Sequence, residues 1–199
     1  MQEADSTNRP TTSPSTASQS APSRAAARRS AAPRRDSVLV QSIVLAIMVA
    51  IPLIISFLGS QATQPHTDGW YEQADKAPWT PPDWLFGPVW IVLYLGMGVA
   101  AWLIWRERHR ARVTTPLVLY FVQLAVNGTW TPLFFAAYPS WGNAALWAAL
   151  GVIVTLIILV ILTARAFWPV NRAAAVILLP YLAWILYAST LNAYIAVAN

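Results

Sequence analysis

Cysteine is absent from the 199 residues. Disulfides, iron–sulfur clusters, thiol nucleophiles and cysteine-ligated zinc are therefore excluded. Histidine occurs only at positions 66 and 109. His66 and His109 fall in loops expected on opposite sides of a membrane, so they cannot share a metal and no catalytic triad can be assembled. Charge is scarce as well. Only 11% of residues are Asp, Glu, Lys or Arg, where a soluble domain carries about a quarter. Long segments between Leu85 and Ala198 hold no charge at all, and every carboxylate lies outside them. The membrane-depth acid that proton-coupled pumps usually carry is missing.

What is present is apolar. Hydrophobic residues make up 57% of the chain and the mean hydropathy is +0.48, the signature of a polytopic membrane protein. The fold class expected is an all-α membrane protein, a bundle of five transmembrane helices. The spans read as Val38–Leu58, Leu85–Trp105, Val113–Ala137 (interrupted by Gly128 and Pro132), Asn143–Ala164 and Ala173–Ala198. A long polar loop, Gly59–Asp83, joins the first two. Ser60-Gln61-Ala62 resembles a weak signal-cleavage site, but the preceding region is too long and the apolar run exceeds a signal core, so the first span reads as a retained helix. An odd number of spans argues against two equal inverted halves, and so against the common secondary-transporter plan.

Residues 1–37 are rich in Ser, Thr, Ala, Pro and Arg. They read as a disordered basic cytoplasmic tail, because they cannot bury enough surface to offset ordering entropy. The tail is either drawn to anionic headgroups or simply solvated. The pI near 10.0 points to topology and not to nucleic acid, since the arginines flank spans. Twelve of the thirteen Lys and Arg fall on one side, and only Lys76 on the other, beside Asp68, Glu72, Asp75 and Asp83. The basic side is expected to be cytoplasmic, with the long first loop and the C-terminus outside, most simply in a bacterial plasma membrane.

The polar side chains inside the spans are neutral: Gln123, Asn127, Thr131, Ser189, Thr190 and Asn192. Gln123, Asn127 and Thr131 recur every four residues and share one helix face. An amide in hydrocarbon needs a partner. These residues are therefore either interhelical glue or polar anchors of a ligand pocket. Tryptophan is abundant, with eleven copies. Trp70, Trp79, Trp84, Trp105, Trp141 and Trp168 suit an interfacial aromatic belt. Trp90, Trp130 and Trp184 lie deeper, each with an aromatic, small or polar neighbour on its own face, a lining that suits a flat apolar ligand. In "KAPWTPPDWLFGPVW" (76–90), Pro78, Pro81 and Pro82 hold the chain extended before the second helix, Asp83 is placed as its N-cap, and Trp90 points deeper.

"WYEQADKAPWTPPDWLFGPVWIVLY" (70–94), "QLAVNGTWTPLFF" (123–135) and "LPYLAWILYASTLN" (179–192) together resemble the tryptophan-rich sensory protein family, also called TspO, translocator protein or TspO/MBR. The resemblance covers residues 38–199. It implies a homodimer in the lipid bilayer that binds porphyrins such as protoporphyrin IX or haem, and similar flat hydrophobic molecules, between its helices. It implies a sensory, regulatory or carrier role, no required cofactor, no metal and no nucleic-acid partner. The first loop would fold over the pocket as a lid. Carried over by matching position, Trp90 and Asn127 would be polar-capable contacts, and Tyr71, Tyr94, Trp130, Thr131, Trp184 and Ala188 would line the cavity. Pocket tryptophans of some bacterial relatives are linked to light- and oxygen-dependent porphyrin breakdown, which makes Trp90 and Trp184 candidate catalytic residues under that alternative. A transporter is the other alternative. Two departures stand out. Tyr194 is followed by "IAVAN" with no base, so the sterol-recognition pattern of animal members is absent, although "RAFWPV" (165–170) fits its reversed form. Trp130 stands where some relatives carry a smaller aromatic, which would narrow the cavity.

Overall fold

The computed structural model describes residues 37–199 apart from Asp68; the basic tail lies outside the described residues. Helix α1 runs from Val38 to Thr67, a short turn α2 from Trp70 to Gln73, and α3 from Asp83 to Arg106. Helix α4 spans Thr114–Thr131 and passes into a π-turn at Pro132–Ala136. The turn α5 (Tyr138–Trp141), α6 (Asn143–Phe167) and α7 (Arg172–Ala198) complete the chain. Among the described residues five helices are long and apolar enough to cross a membrane: α1, α3, α4 with its π-turn, α6 and α7. The protein is a multi-pass integral membrane protein. Neighbouring helices form a closed circuit, α1–α3–α7–α6–α4, with α4 and its π-turn returning to α1.

Three boundaries differ from the sequence reading. The first span does not stop at Leu58; α1 continues to Thr67. The loop expected at Gly59–Asp83 is therefore shorter at its start. The polar extension holds its own hydroxyls, with Ser60 Oγ donating to Phe57 O at 2.8 Å and Thr63 Oγ1 to Gly59 O at 2.8 Å. Second, Gly128 does not interrupt α4, which is continuous to Thr131. A Cβ at Gly128 would stand 3.1 Å from Ile55 Cγ2, so glycine serves close approach of α1 and not a break. The interruption comes at Pro132, which has no N–H to donate. The chain widens there, and Ala137 N bonds to Pro132 O at 3.0 Å. Third, Asp83 is not an N-cap. It is the first residue of α3, after Pro82, and makes no side-chain cap bond.

The two halves of the bundle are packed differently. Toward the arginine-rich end, Met97, Ala100, Ala101 and Ile104 of α3 are 0% exposed. They share a core with Tyr120, Leu124, Val160, Phe167 and Leu178. Small residues let helices approach closely there, which is how membrane helices associate without a hydrophobic drive. Gly98 touches the α1 backbone; a Cβ in its place would lie 2.7 Å from Met48 O and 2.7 Å from Val49 Cα. Toward the other end, the same positions around the circuit are aromatic, and the helices stand apart.

Candidate ligand-binding site

The gap between the separated helix ends is a cavity of about 780 Å³, within the range of ligand sites of about 300–1,000 Å³. Its floor is polar. Tyr94 Oη donates to Asn127 Oδ1 at 2.6 Å, and Asn127 Nδ2 donates to Tyr181 Oη at 2.9 Å. One amide thus ties α3, α4 and α7 at mid-bundle. Asn127 both joins helices and lines the cavity. Gln123, one turn deeper, does not reach the cavity; it is buried, with Nε2 3.8 Å from Met97 Sδ.

The walls are aromatic. Trp90 stacks on Tyr94, with ring centres 5.2 Å apart and planes at 26°. Across the cavity Trp130 stacks on Phe134 at 5.0 Å and 23°. Trp130 is fixed by its indole N–H, which donates to Asn192 Oδ1 at 3.1 Å, while Asn192 Nδ2 donates to Leu146 O at 3.0 Å. A second amide therefore joins α4, α6 and α7. The Trp90 indole N–H finds no acceptor among the described residues, although its ring forms the wall. On α1 the lining includes Ser56, Gly59, Ser60 and Thr63, a set at i, i+3, i+4 and i+7 on one helix face. Phe57 and Ile91 line the cavity and are also 60% and 50% exposed. The cavity thus reaches the apolar outside of the bundle between α1 and α3.

The connection between α1 and α3 covers the mouth and is fastened at both ends. Trp70 Nε1 donates to Phe135 O at 3.0 Å, and its ring stacks on Tyr138 at 3.8 Å. Trp79 Nε1 donates to Thr190 Oγ1 at 3.2 Å, and Tyr187 Oη donates to Trp79 O at 2.6 Å. Asn199 accepts from Asp75 N at 3.0 Å and donates to Asp75 O at 3.2 Å. Between these fastenings Tyr71, Glu72 and Lys76 face the cavity, with Asp83 at the start of α3. Lys76 Nζ lies 4.4 Å from the centre of the Tyr71 ring. Burial pushes the Tyr71 phenol up to about 12, and the Asp83 carboxylate adds to the rise.

Of the residues singled out in the sequence, Tyr71, Trp90, Tyr94, Asn127, Trp130, Thr131 and Ala188 are brought together around this one cavity. Trp184 is not. It packs edge-on against Phe86, 5.8 Å between ring centres, and its Nε1 is buried without a partner among the described residues. Tyr181, Ile185, Ala188 and Asn192 centre the inner face of α7, and at about 100° per residue Trp184 lies roughly 70° round from that centre. Phe86 stands between it and the cavity. Sequence reasoning passed over Phe86, Phe134 and the α1 hydroxyl face, while Asn192, noted there as a polar residue within a span, also lines the cavity. Phe86 precedes Trp90 by one helical turn and Phe134 follows Trp130 by one, so four-residue spacing from each tryptophan would have found both. No group of three or more His, Asp or Glu placed to hold a metal occurs among the described residues.

Five spanning helices enclosing an aromatic cavity beneath a fastened loop define a helical membrane protein with an internal cavity. Comparison with known proteins gives the class its family. Residues 48–198 match the TspO/MBR family, and the chain belongs to that family. It is 38% identical over 145 residues to a "Translocator protein" of Bos taurus, covering 71% of this chain and 82% of that one. It is 37% identical over 153 residues to a "Tryptophan-rich protein TspO" of Chlorobaculum tepidum, covering 76% and 93%. A "Tryptophan-rich protein TspO" of Archaeoglobus fulgidus is 38% identical over 149 residues, covering 74% and 91%.

Proposed function

We propose that the cavity binds a porphyrin or a comparable flat, largely apolar ring system, and that the protein senses, regulates or carries that ligand. The observation that carries the reading is the pair of facing aromatic stacks, Trp90 on Tyr94 and Trp130 on Phe134, around about 780 Å³. Such walls favour a flat ring, and the unused Trp90 N–H offers one directed hydrogen bond. The opening beside Phe57 and Ile91 suits a ligand partitioned into lipid. On the same reading the arginine-rich end faces the cytoplasm of a bacterial plasma membrane and the lid faces outward. The test is quenching of intrinsic tryptophan fluorescence by protoporphyrin IX. Trp90→Ala and Asn127→Leu should each weaken the apparent affinity about tenfold, roughly 1.4 kcal/mol. Unchanged affinity in both variants would remove the pocket assignment.

The stacked Trp90–Tyr94 pair also supports a second reading, light- and oxygen-dependent breakdown of the bound porphyrin, in which dioxygen is the oxidant and Trp90 is the oxidisable indole beside the excited ring. It needs no acid–base residue. Trp184, behind Phe86, has no such place. A new absorbing product under illumination should be lost in Trp90→Phe and kept in Trp184→Phe. Bleaching of free porphyrin to the same product at the same rate would end this reading.

A further inference from the structure

The arginine-rich end carries aromatic contacts unrelated to the cavity. The Arg106 guanidinium lies 4.7 Å from the centre of the Trp102 ring and that of Arg108 lies 3.3 Å over Trp105. Arg172 lies 5.5 Å from the centre of Trp168. These pairs sit where α3, α6 and α7 end or begin, and α3 and α6 both pack on α7. The Trp102 ring is anchored, its Nε1 donating to Gln41 O on α1 at 3.0 Å, and Arg108 is held to the last turn by donating to the Trp105 backbone carbonyl at 3.1 Å. Arg110, Arg112 and Arg165 share this end, and Glu107 is its one carboxylate among the described residues. Arg172 opens α7, where the helix dipole disfavours a cation. The Trp168 ring offsets part of that cost, and a bound anion would offset more.

We propose that this rim is a binding surface for the phosphodiester headgroups of anionic phospholipids. Tryptophan at the ends of spanning helices lies at headgroup depth, so the stacked guanidiniums lie there too. The permanent cations at this end are all arginine and none is lysine, and His109 lies beside them. A planar guanidinium can stack on an indole with its face and present a donor fork to phosphate with its edge, whereas an ammonium is only a point charge. The surface selects charged lipid over zwitterionic lipid and holds the packed half of the bundle at a fixed depth.

The full-length protein reconstituted in phosphatidylcholine vesicles is titrated with spin-labelled phosphatidylglycerol and, separately, spin-labelled phosphatidylcholine, and the bound fractions are compared. Wild-type protein should prefer phosphatidylglycerol by roughly fivefold, as expected for a few bases near the surface. The triple variant Arg106→Gln, Arg108→Gln, Arg172→Gln should lose the preference. The corresponding Lys triple, with charge unchanged, should keep less than half of it. Protoporphyrin quenching at the other end should stay unchanged in both variants, which checks the fold. Equal preference in wild type and the Gln triple would overturn the proposal. So would full retention by the Lys triple, which would leave diffuse charge as the cause. So would displacement of the labelled lipid by free glycerophosphate at matched ionic strength, which would make the site one for a soluble anion.

Discussion

The same five helices are solid in one half and hollow in the other, and α3 shows how. Its second half presents Met97, Gly98, Ala100, Ala101 and Ile104, and α1 closes onto it to backbone contact at Gly98. Its first half presents Phe86, Trp90 and Tyr94, and the neighbours are held off around a cavity. The divide falls at the Tyr94–Asn127–Tyr181 hydrogen bonds. Side-chain size along one helix therefore sets where the bundle is scaffold and where it is compartment. In lipid no hydrophobic collapse closes the gap, because an aliphatic side chain gains nothing by leaving hydrocarbon.

The strongest way to break the contrast is to put a methyl group into the solid half. At Gly98→Ala the new Cβ meets α1 backbone atoms, which cannot rotate away. Overpacking of this kind costs about 1–3 kcal/mol. The variant should show the largest fall in thermal midpoint in detergent, and an unchanged midpoint would mean that α1 slides freely. The divide itself is tested next. Asn127→Leu leaves the Tyr94 and Tyr181 hydroxyls without their shared amide. Orphaned buried groups cost about 1–3 kcal/mol, but measured membrane hydrogen bonds average nearer 0.6 kcal/mol. A loss of about 1–2 kcal/mol follows, and Tyr94→Phe, which removes one of the two bonds, should lose about half of that.

The spans, their number and the segregation of arginine were legible in the sequence because bilayer thickness and the absence of charge write them at the scale of twenty residues. The end of α1 was not. Gly59, Ser60, Gln61 and Gln64 read as loop, yet the helix continues through them, with one face bordering the cavity and its hydroxyls satisfied by carbonyls of the preceding turn. The Gly128 misreading has the same origin: glycine signals a break or a close approach, and only Ile55 across the interface decides which. Much of the candidate site was legible through four-residue spacing and the family resemblance. Trp184 was misplaced because its offset matters only once Phe86 is seen in front of it. Asn192 was visible as a polar residue in hydrocarbon, but its bonds to Trp130 and Leu146 join three helices that no local pattern relates.

The Trp90 and Trp184 contrast sharpens the line between wall and backing. On the proposed function, Trp90→Phe removes the unused N–H and part of the stacking surface. A hydrogen bond of about 0.5–1.5 kcal/mol corresponds to a roughly two- to twelvefold weaker quenching constant for protoporphyrin IX. Trp184→Phe, outside the cavity lining, touches the back of Phe86 and the Tyr187 ring, and should change that constant less than about twofold. It also removes a buried N–H that has no partner among the described residues, so its stability should hold or rise slightly. Equal losses in both variants would place Trp184 back in the site.

The smallest expected effect concerns the lid and hydroxide. Tyr71 lies outside the spans and its phenol is held up to about 12, first by burial and then by Asp83. A raised phenol pKa means that the folded lid favours the neutral form. That stabilisation is complete below the ordinary value of about 10 and is lost as pH rises from about 10 through 12. Between pH 6 and 9 the lid should therefore show no pH dependence from Tyr71, and ligand release should be flat. The check is the ultraviolet tyrosinate titration of wild-type protein minus that of Tyr71→Phe. A difference titrating near 12 keeps Tyr71 beneath a closed lid against the hollow half. A difference titrating near 10 would mean that the lid stands open in solution and that the fastenings at Trp70, Trp79 and Asn199 do not hold.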